Sequence, residues 1–235
     1  MKVVILCGGK GSRLSEETKI KPKPMVKIGR KPILEHIIKY YMKFGFDNFL
    51  IALGYKGNII KNYFENKKIR NAKITFVNTG QKTLTGGRLL RLKKYLINED
   101  VFMLTYGDGL ANINLKKLLE FHLLHKKIAT VTAVRPPVRF GELYIKNNIV
   151  LKFREKHQAS ENWINGGFFV FNKKIFKYLN NDFTILEKDP VIRLCLNKQL
   201  MAFKHYKFWQ CMDTLRDKEL LNKIWYSGKA TWRVV

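Results

Sequence analysis

The sequence predicts an α/β fold: an open, mixed but mostly parallel sheet with helices on both faces and a smaller α+β elaboration toward the C-terminus. Three observations carry this. From Lys2 to Val134, fully apolar runs of strand length alternate with segments of helical periodicity, the signature of βαβ units. After Val134 the alternation gives way to a hairpin pattern, a further strand and shorter helices. The chain has 235 residues, 46% hydrophobic and 27% charged, enough for a sizeable core in one large domain.

Lys2–Cys7 reads as a fully buried strand, followed by a long loop from Gly8 to Arg30. Pro32 suits a helix start. Ile33, Leu34, Ile37, Ile38, Tyr41 and Met42 then recur at helical spacing, and Gly45 ends the helix. Strands follow at Asn48–Leu53, Lys73–Val77, Val101–Tyr106 and Ile128–Val134, with helices at Asn58–Asn66, Gly87–Leu96 and Leu115–His125 between them. Gly141–Ile145 and Ile149–Phe153 flank Asn147-Asn148 and read as a hairpin. Gly166–Phe171 and Met201–His205 read as strands, and Lys173–Leu179, Asp189–Asn197 and Thr214–Tyr226 as helices. The whole is Rossmann-like, and in such sheets ligands bind beyond the carboxyl ends of the strands.

Composition narrows the function. The formal net charge is +27, from 45 basic and 18 acidic residues, which raises nucleic acid as a partner. The distribution argues otherwise: no block of five like charges occurs, and lysine outnumbers arginine, the better reader of phosphate and base edges. A solvated basic surface that favours an acidic small substrate is expected, with no specific nucleic acid partner. No apolar run is long enough to span a membrane, and the N-terminus lacks a signal-peptide pattern. Cys7, Cys195 and Cys211 cannot form a full disulfide set, which suits a reduced, cytoplasmic protein. The five histidines are scattered, without a zinc pattern. His122 and His125 are expected at the surface, and Cys7, Trp163 and Trp209 in the core.

Gly8-Gly9-Lys10-Gly11-Ser12-Arg13-Leu14 follows the first strand directly. Consecutive glycines let backbone N–H groups approach a phosphate. The run is neither a dinucleotide fingerprint, since Leu14 takes the third glycine position, nor a Walker A loop, so alone it reads equally as a turn. Lys21-Pro22-Lys23-Pro24-Met25 follows, with two prolines stiffening the backbone around Lys23. Arg13 and the two lysines beside bare backbone donors suggest a triphosphate cradle. Asp108, flanked by Gly107 and Gly109 at a strand end, suits Mg²⁺, which takes one or two carboxylates plus substrate phosphates; an Asx-type turn is the alternative.

These motifs, with Lys31-Pro32-Ile33-Leu34, resemble the sugar nucleotidyltransferases. The cytidylyltransferase branch is most similar, through Leu53-Gly54-Tyr55-Lys56-Gly57, Thr83-Leu84-Thr85-Gly86-Gly87-Arg88 and Tyr106-Gly107-Asp108-Gly109. The similarity continues through Pro136 to Gly141, Trp163 to Phe169, and the more specific Phe208-Trp209-Gln210-Cys211-Met212-Asp213-Thr214-Leu215-Arg216-Asp217. It runs nearly end to end. The chain departs in a shorter stretch between Phe64 and Ile74, in His157 where proline is usual, and in Arg30 and Glu142 where small residues are usual.

The resemblance implies a single domain, 1–235, with a nucleotide-binding half (about 1–135) and a sugar-phosphate-binding half (about 136–235). It implies that CTP and a sugar 1-phosphate, with glucose 1-phosphate foremost, give a CDP-sugar and pyrophosphate by Mg²⁺-assisted in-line attack. Arg13, Lys23 and Asp108 are then catalytic. Leu6, Gly8, Gly9, Gly11, Ser12, Arg13, Thr83 and Arg88 bind nucleotide. Gly141, Glu155, Lys156, Asn165 and Gly166 bind sugar phosphate, and Asp108 and Asp213 hold the metal. For Asp213 the residues alone leave a second role open, the N-cap of the last helix. Another nucleoside triphosphate, another phosphorylated acceptor, or a non-catalytic nucleotide-sensing subunit are the alternatives. A homo-oligomer is compatible with the chain, although the shortened segment removes one place for a contact.

Overall fold

A computed structural model describes residues 1–136, 142–154 and 162–234. In chain order its elements are β1 (Lys2–Cys7), α1 (Ser15–Thr18), β2 (Lys27–Ile28), β3 (Lys31–Pro32), α2 (Ile33–Lys43), β4 (Asn48–Leu53), α3 (Gly57–Asn66) and β5 (Lys73–Asn78). Next come α4 (Thr85–Arg91), α5 (Lys93–Leu96), β6 (Val101–Tyr106), β7 (Gly109–Ala111), α6 (Leu115–His125), β8 (Ala129–Val134), β9 (Glu142–Lys146) and β10 (Ile149–Arg154). The chain closes with β11 (Ile164–Asn172), α7 (Asp189–Leu196), β12 (Leu200–His205), β13 (Trp209–Cys211) and α8 (Leu215–Tyr226).

The main sheet has seven strands in the order β12-β8-β11-β6-β1-β4-β5. β1 pairs in parallel with β4 and β6, β4 with β5, and β8 with β12, while β11 runs antiparallel between β6 and β8. Alternate residues of the apolar strands feed two cores. Val3, Ile5, Phe49, Ile51 and Met103 face α2, α3, α6 and α8, where Ile37, Tyr41, Ile60, Leu118 and Leu221 are buried. Val4, Leu6, Leu50, Phe102 and Leu104 face Leu89, Leu92, Leu96 and Leu194 of α4, the turn after it, α5 and α7. Burial on both faces is why these strands read as continuous apolar runs rather than alternating ones.

The expected elements are present, with local differences. The stretch from Gly8 to Arg30 is no open loop. It holds 3-10 turns at Ser12–Leu14 and Lys23–Met25, the short α1, and β2, which pairs with β3. The helix expected over Gly87–Leu96 is split at Leu92 and starts earlier, at Thr85. There Gly86 N–H and Gly87 N–H both donate to the Thr184 carbonyl, a contact from another part of the chain. Lys173–Tyr178 is 3-10 rather than α. The β9–β10 hairpin turns at Asn147 and Asn148, both at positive φ (47° and 61°), as a tight hairpin turn requires. Leu143, Tyr144, Ile145 and Phe153 stand exposed on it.

His122 is not at the surface. It is buried against β8, where its Nδ1 lies 2.9 Å from Thr130 Oγ1, and His125 Nε2 lies 2.7 Å from the same oxygen. Helical spacing put the two rings on one face, and the threonine hydroxyl gave that face a polar partner inside. Trp163 is not core but half-buried, with Arg135 and Lys204 over its ring. Trp209 is half-buried as well and lines the cavity described next.

Candidate active site

β1 delivers the chain to the glycine run, and β6 delivers Asp108, both at the carboxyl ends of neighbouring parallel strands. The small β7–β13 pair does the rest. Cys211 sits opposite Gly109, and Met212 N–H donates to the Asp108 carbonyl at 2.9 Å. Asp213 is thereby carried next to Asp108. Lys23 joins them: its Nζ lies 2.6 Å from Asp108 Oδ2 and 2.6 Å from Asp213 Oδ1, partners 85 and 190 residues away in sequence. Arg13, whose side chain is 72% exposed, donates to Asp213 Oδ2 at 2.9 Å.

The cap alternative for Asp213 is resolved. Thr214 is the N-cap of α8, and Asp217 completes a capping box with it. Asp217 Oδ2 also accepts from the Asp213 and Thr214 N–H groups at 3.0 and 2.9 Å. The Asp213 carboxylate is left to face the two cations. Burial pushes that carboxyl up, but Lys23 and Arg13 outweigh it and hold it below the usual range. Burial likewise pulls the Lys23 ammonium down, and the two aspartates more than reverse this. Cys211, its thiol 3.5 Å from Asp213 Oδ2, is pushed up to about 12 by burial and then by Asp213 and Asp108.

Around this charge cluster lies a cavity of about 1000 Å³. Leu6, Gly8, Gly9, Gly11, Ser12, Arg13, Lys23, Thr83, Arg88, Asp108, Asn165, Gly166 and Asp213, all singled out by sequence, line it together. Gly141, Glu155 and Lys156 lie outside the described residues. Lys21 is not part of the cradle; it pairs with Glu17 at 2.9 Å.

The glycines have specific reasons. Gly11 adopts φ +67°, and a Cβ on it would lie 2.9 Å from Thr18 and 3.0 Å from Lys23. A Cβ on Gly8 would sit 2.1 Å from the Arg88 guanidinium. Arg88 is buried, and both of its terminal nitrogens bond to the chain. Nη1 reaches the Leu53 and Gly80 carbonyls and Thr79 Oγ1, and Nη2 reaches the Gly8 carbonyl at 3.0 Å. It therefore ties the ends of β1, β4 and β5 together beneath the glycine run.

Two residues of the cavity wall carry contacts that the sequence does not announce. Trp209 Nε1 donates to the Gly166 carbonyl at 2.7 Å. Tyr106 lines the cavity, and its hydroxyl donates to Glu187 Oε1. Nothing in their spacing announces these contacts, because each joins segments far apart in the chain.

The profile of the nucleotidyl transferase family matches residues 2–210. The chain belongs to this family. This nucleotidyltransferase is 46% identical to the glucose-1-phosphate cytidylyltransferase of Salmonella typhimurium, over 99% of each chain. It is 33% identical to the D-glycero-alpha-D-manno-heptose 1-phosphate guanylyltransferase of Aneurinibacillus thermoaerophilus, covering 88% of this chain and 89% of the relative. Among solved structures it resembles HddC from Yersinia pseudotuberculosis, with a TM-score of 0.76, 28% identity and coverage of 95% and 99%. Nucleotidyltransferases of this family generally use a divalent metal. No helix among the described residues is long and apolar enough to cross a membrane.

Proposed function

We propose that this enzyme joins CTP to a sugar 1-phosphate, glucose 1-phosphate foremost, releasing pyrophosphate and a CDP-sugar, with Mg²⁺ as the metal. The observation that carries the chemistry is the junction of Asp108, Lys23, Asp213 and Arg13 at the mouth of a glycine-lined cavity. The choice of CTP and glucose is supported by the 46% identity to a relative of that name.

Both reactants are anions. Two unit charges 4 Å apart repel by about 4 kcal/mol at an effective dielectric of 20, and several such pairs must meet. Positioning and charge neutralisation carry transfers of this kind. Lys23, held on its two carboxylates, presents a fixed cation to the α-phosphate or the attacking phosphate. Arg13, exposed and reaching over the cavity, meets the charge that develops on departing pyrophosphate. Gly8, Gly9 and Gly11 line the cavity with no side chain between their backbone and a triphosphate, with Ser12, Leu6, Thr83 and Arg88 forming the rest of that wall. Asn165 and Gly166 are assigned to the sugar side, the role that the family resemblance also gives to Gly141, Glu155 and Lys156.

The donor set fits a hard divalent cation. Asp108 and Asp213 offer two carboxylates held close together, since Lys23 Nζ lies 2.6 Å from an oxygen of each. No cluster of three or more metal-binding side chains occurs among the described residues, so substrate phosphates would complete the shell. When bound, the ion supplies charge stabilisation to the transferring phosphoryl group.

The test is a panel of each nucleoside triphosphate against several sugar 1-phosphates, with Mg²⁺, following pyrophosphate release. CTP with glucose 1-phosphate should give the highest kcat/KM. A preference for GTP with a heptose 1-phosphate would transfer the reading to the activity named for the more distant relative, and no turnover with any pair would overturn it.

A further inference from the structure

The 3-10 turn Ser12–Leu14 runs directly into α1 (Ser15–Thr18), so Arg13 and Glu17 stand at i and i+4 of one continuous helical stretch. Both carboxylate oxygens of Glu17 are taken. Oε1 accepts from Lys218 Nζ, 201 residues away, and Oε2 pairs with Lys21 Nζ at 2.9 Å. Only 19% of the Glu17 side chain is exposed, so solvent screens these pairs less than it would on an open surface. Lys218, then Lys21, hold its carboxyl below the usual range.

Lys218 belongs to the first turn of α8, where its N–H donates to the Thr214 carbonyl at 3.1 Å. Its neighbour Asp217 accepts the Asp213 N–H at 3.0 Å. The start of α8 therefore carries Asp213 and Lys218 in one frame, as the helical stretch carries Arg13 and Glu17 in another. Two ion pairs join the frames: Arg13 to Asp213 at 2.9 Å, and Glu17 to Lys218. Their signs are opposite, cation to anion in one and anion to cation in the other, so only this register pairs both. The pairs differ in their relation to substrate. Arg13 and Asp213 line the cavity, whereas Glu17 and Lys218 do not. A triphosphate competes with Asp213 for the Arg13 guanidinium, but nothing in the cavity competes for Glu17. The other side-chain bonds of the stretch lead elsewhere. Thr18 Oγ1 donates to the Gly11 carbonyl at 3.1 Å, and the Tyr55 hydroxyl donates to the Thr18 carbonyl at 3.1 Å.

We propose that Glu17 is a positioning residue: paired with Lys218, it keeps the helical stretch docked on α8, and so holds Arg13 over the cavity when the guanidinium turns from Asp213 to the departing pyrophosphate. The inference rests on the role given to Arg13 above and extends it to a pair outside the cavity wall.

Glu17→Gln keeps the shape and removes the charge, leaving Lys21 and Lys218 as two like charges around one amide. Lys218→Met cuts the same pair from the other side, and Lys218→Arg keeps it. The experiment is steady-state kinetics by pyrophosphate release on these variants, on Arg13→Ala, and on Arg13→Ala combined with Glu17→Gln or with Lys218→Met, with thermal melting of each. Glu17→Gln and Lys218→Met should each lower kcat about fivefold, the scale of one partly screened ion pair, with KM for the sugar phosphate within about twofold of wild type. Lys218→Arg should stay near wild type. In the Arg13→Ala background either change should alter kcat by less than about twofold, because the group being positioned is gone. A merely structural pair would cost the Arg13→Ala enzyme the same factor as wild type. If Glu17→Gln folds poorly, Lys218→Met in the two backgrounds carries the test. An unchanged kcat in the single variants, a larger rise in the sugar KM, or a full fivefold loss on top of Arg13→Ala overturns the inference while leaving the functional reading intact. A wild type inactive with every pair of substrates overturns both.

Discussion

Asp108 is anchored through Lys23, and its glycine neighbours supply no side chain to shield it. Replacing it by asparagine keeps the shape and removes the charge. Under the proposed reaction, Asp108→Asn should lower kcat by about 100-fold or more, the scale of removing one transition-state charge stabiliser, with an unchanged circular dichroism spectrum. Wild-type turnover in that variant would remove Asp108 from the machinery. Arg13 differs, because its exposed guanidinium is tethered by one carboxylate only among the described residues. Arg13→Ala should depress kcat by a similar factor of roughly 100. Arg13→Lys should recover only part of the loss, since a point charge cannot reproduce the guanidinium fork. Full recovery in Arg13→Lys, measured by pyrophosphate release, would reduce the requirement to charge alone.

At the scale of elements, the start of α8 matters more than its length suggests. Asp217 is buried and accepts from the Asp213 and Thr214 N–H groups, the Thr214 hydroxyl and the Gln210 amide. Thr214→Ala removes a cap and should cost about 1 kcal/mol. Asp217→Ala strands several buried donors and should cost roughly 2–3 kcal/mol or more. It should also lower activity, because Asp213 is held through the same contacts. Urea midpoints for the two variants check the order, and a smaller loss for Asp217→Ala would refute it. The α6–β8 contact carries a pH effect. Burial, then His125, lowers His122 from 6.5 to about 4, so the folded state keeps it neutral where the unfolded chain takes up a proton. Its contribution is complete above pH 6.5 and is lost as pH falls toward about 4. His125 is also shifted downward, by burial, in the same sense. Melting temperatures should fall between pH 7 and pH 5 and fall less in His122→Asn; equal slopes would discard the account.

At the scale of the whole molecule, the net charge of +27 acts over distance rather than at one contact. The KM for CTP should rise with ionic strength, and weak binding to DNA at low salt should fade steeply by about 150 mM. Sequence-selective, sub-micromolar DNA binding at that salt, in a fluorescence anisotropy titration, would contradict a merely steering role. The sheet order was beyond the sequence. Periodicity announced β11 as a strand, but not that it runs antiparallel between β6 and β8. A side-chain pattern of period two reports burial, which is the same for either direction.

What the sequence determined by itself is local or carried by motif. The apolar runs of β1, β4 and β6, the helical spacing of α2 and α6 and the asparagine turn of the hairpin follow from burial and backbone preference within a few residues. The glycine run and Asp108 are legible for the same reason, since each needs a conformation that its own neighbours supply. The tertiary structure decided everything that depends on meeting. It alone carried Asp213 to Asp108 through the β7–β13 pairing, and freed the Asp213 carboxylate by making Thr214 the cap. It alone buried His122 on Thr130, turned Lys21 away to Glu17 while Lys23 bridged the aspartates, and set Glu187 behind Tyr106. A charge or a hydroxyl declares its chemistry in the sequence, but its partner is fixed only when the sheet closes the distance between them.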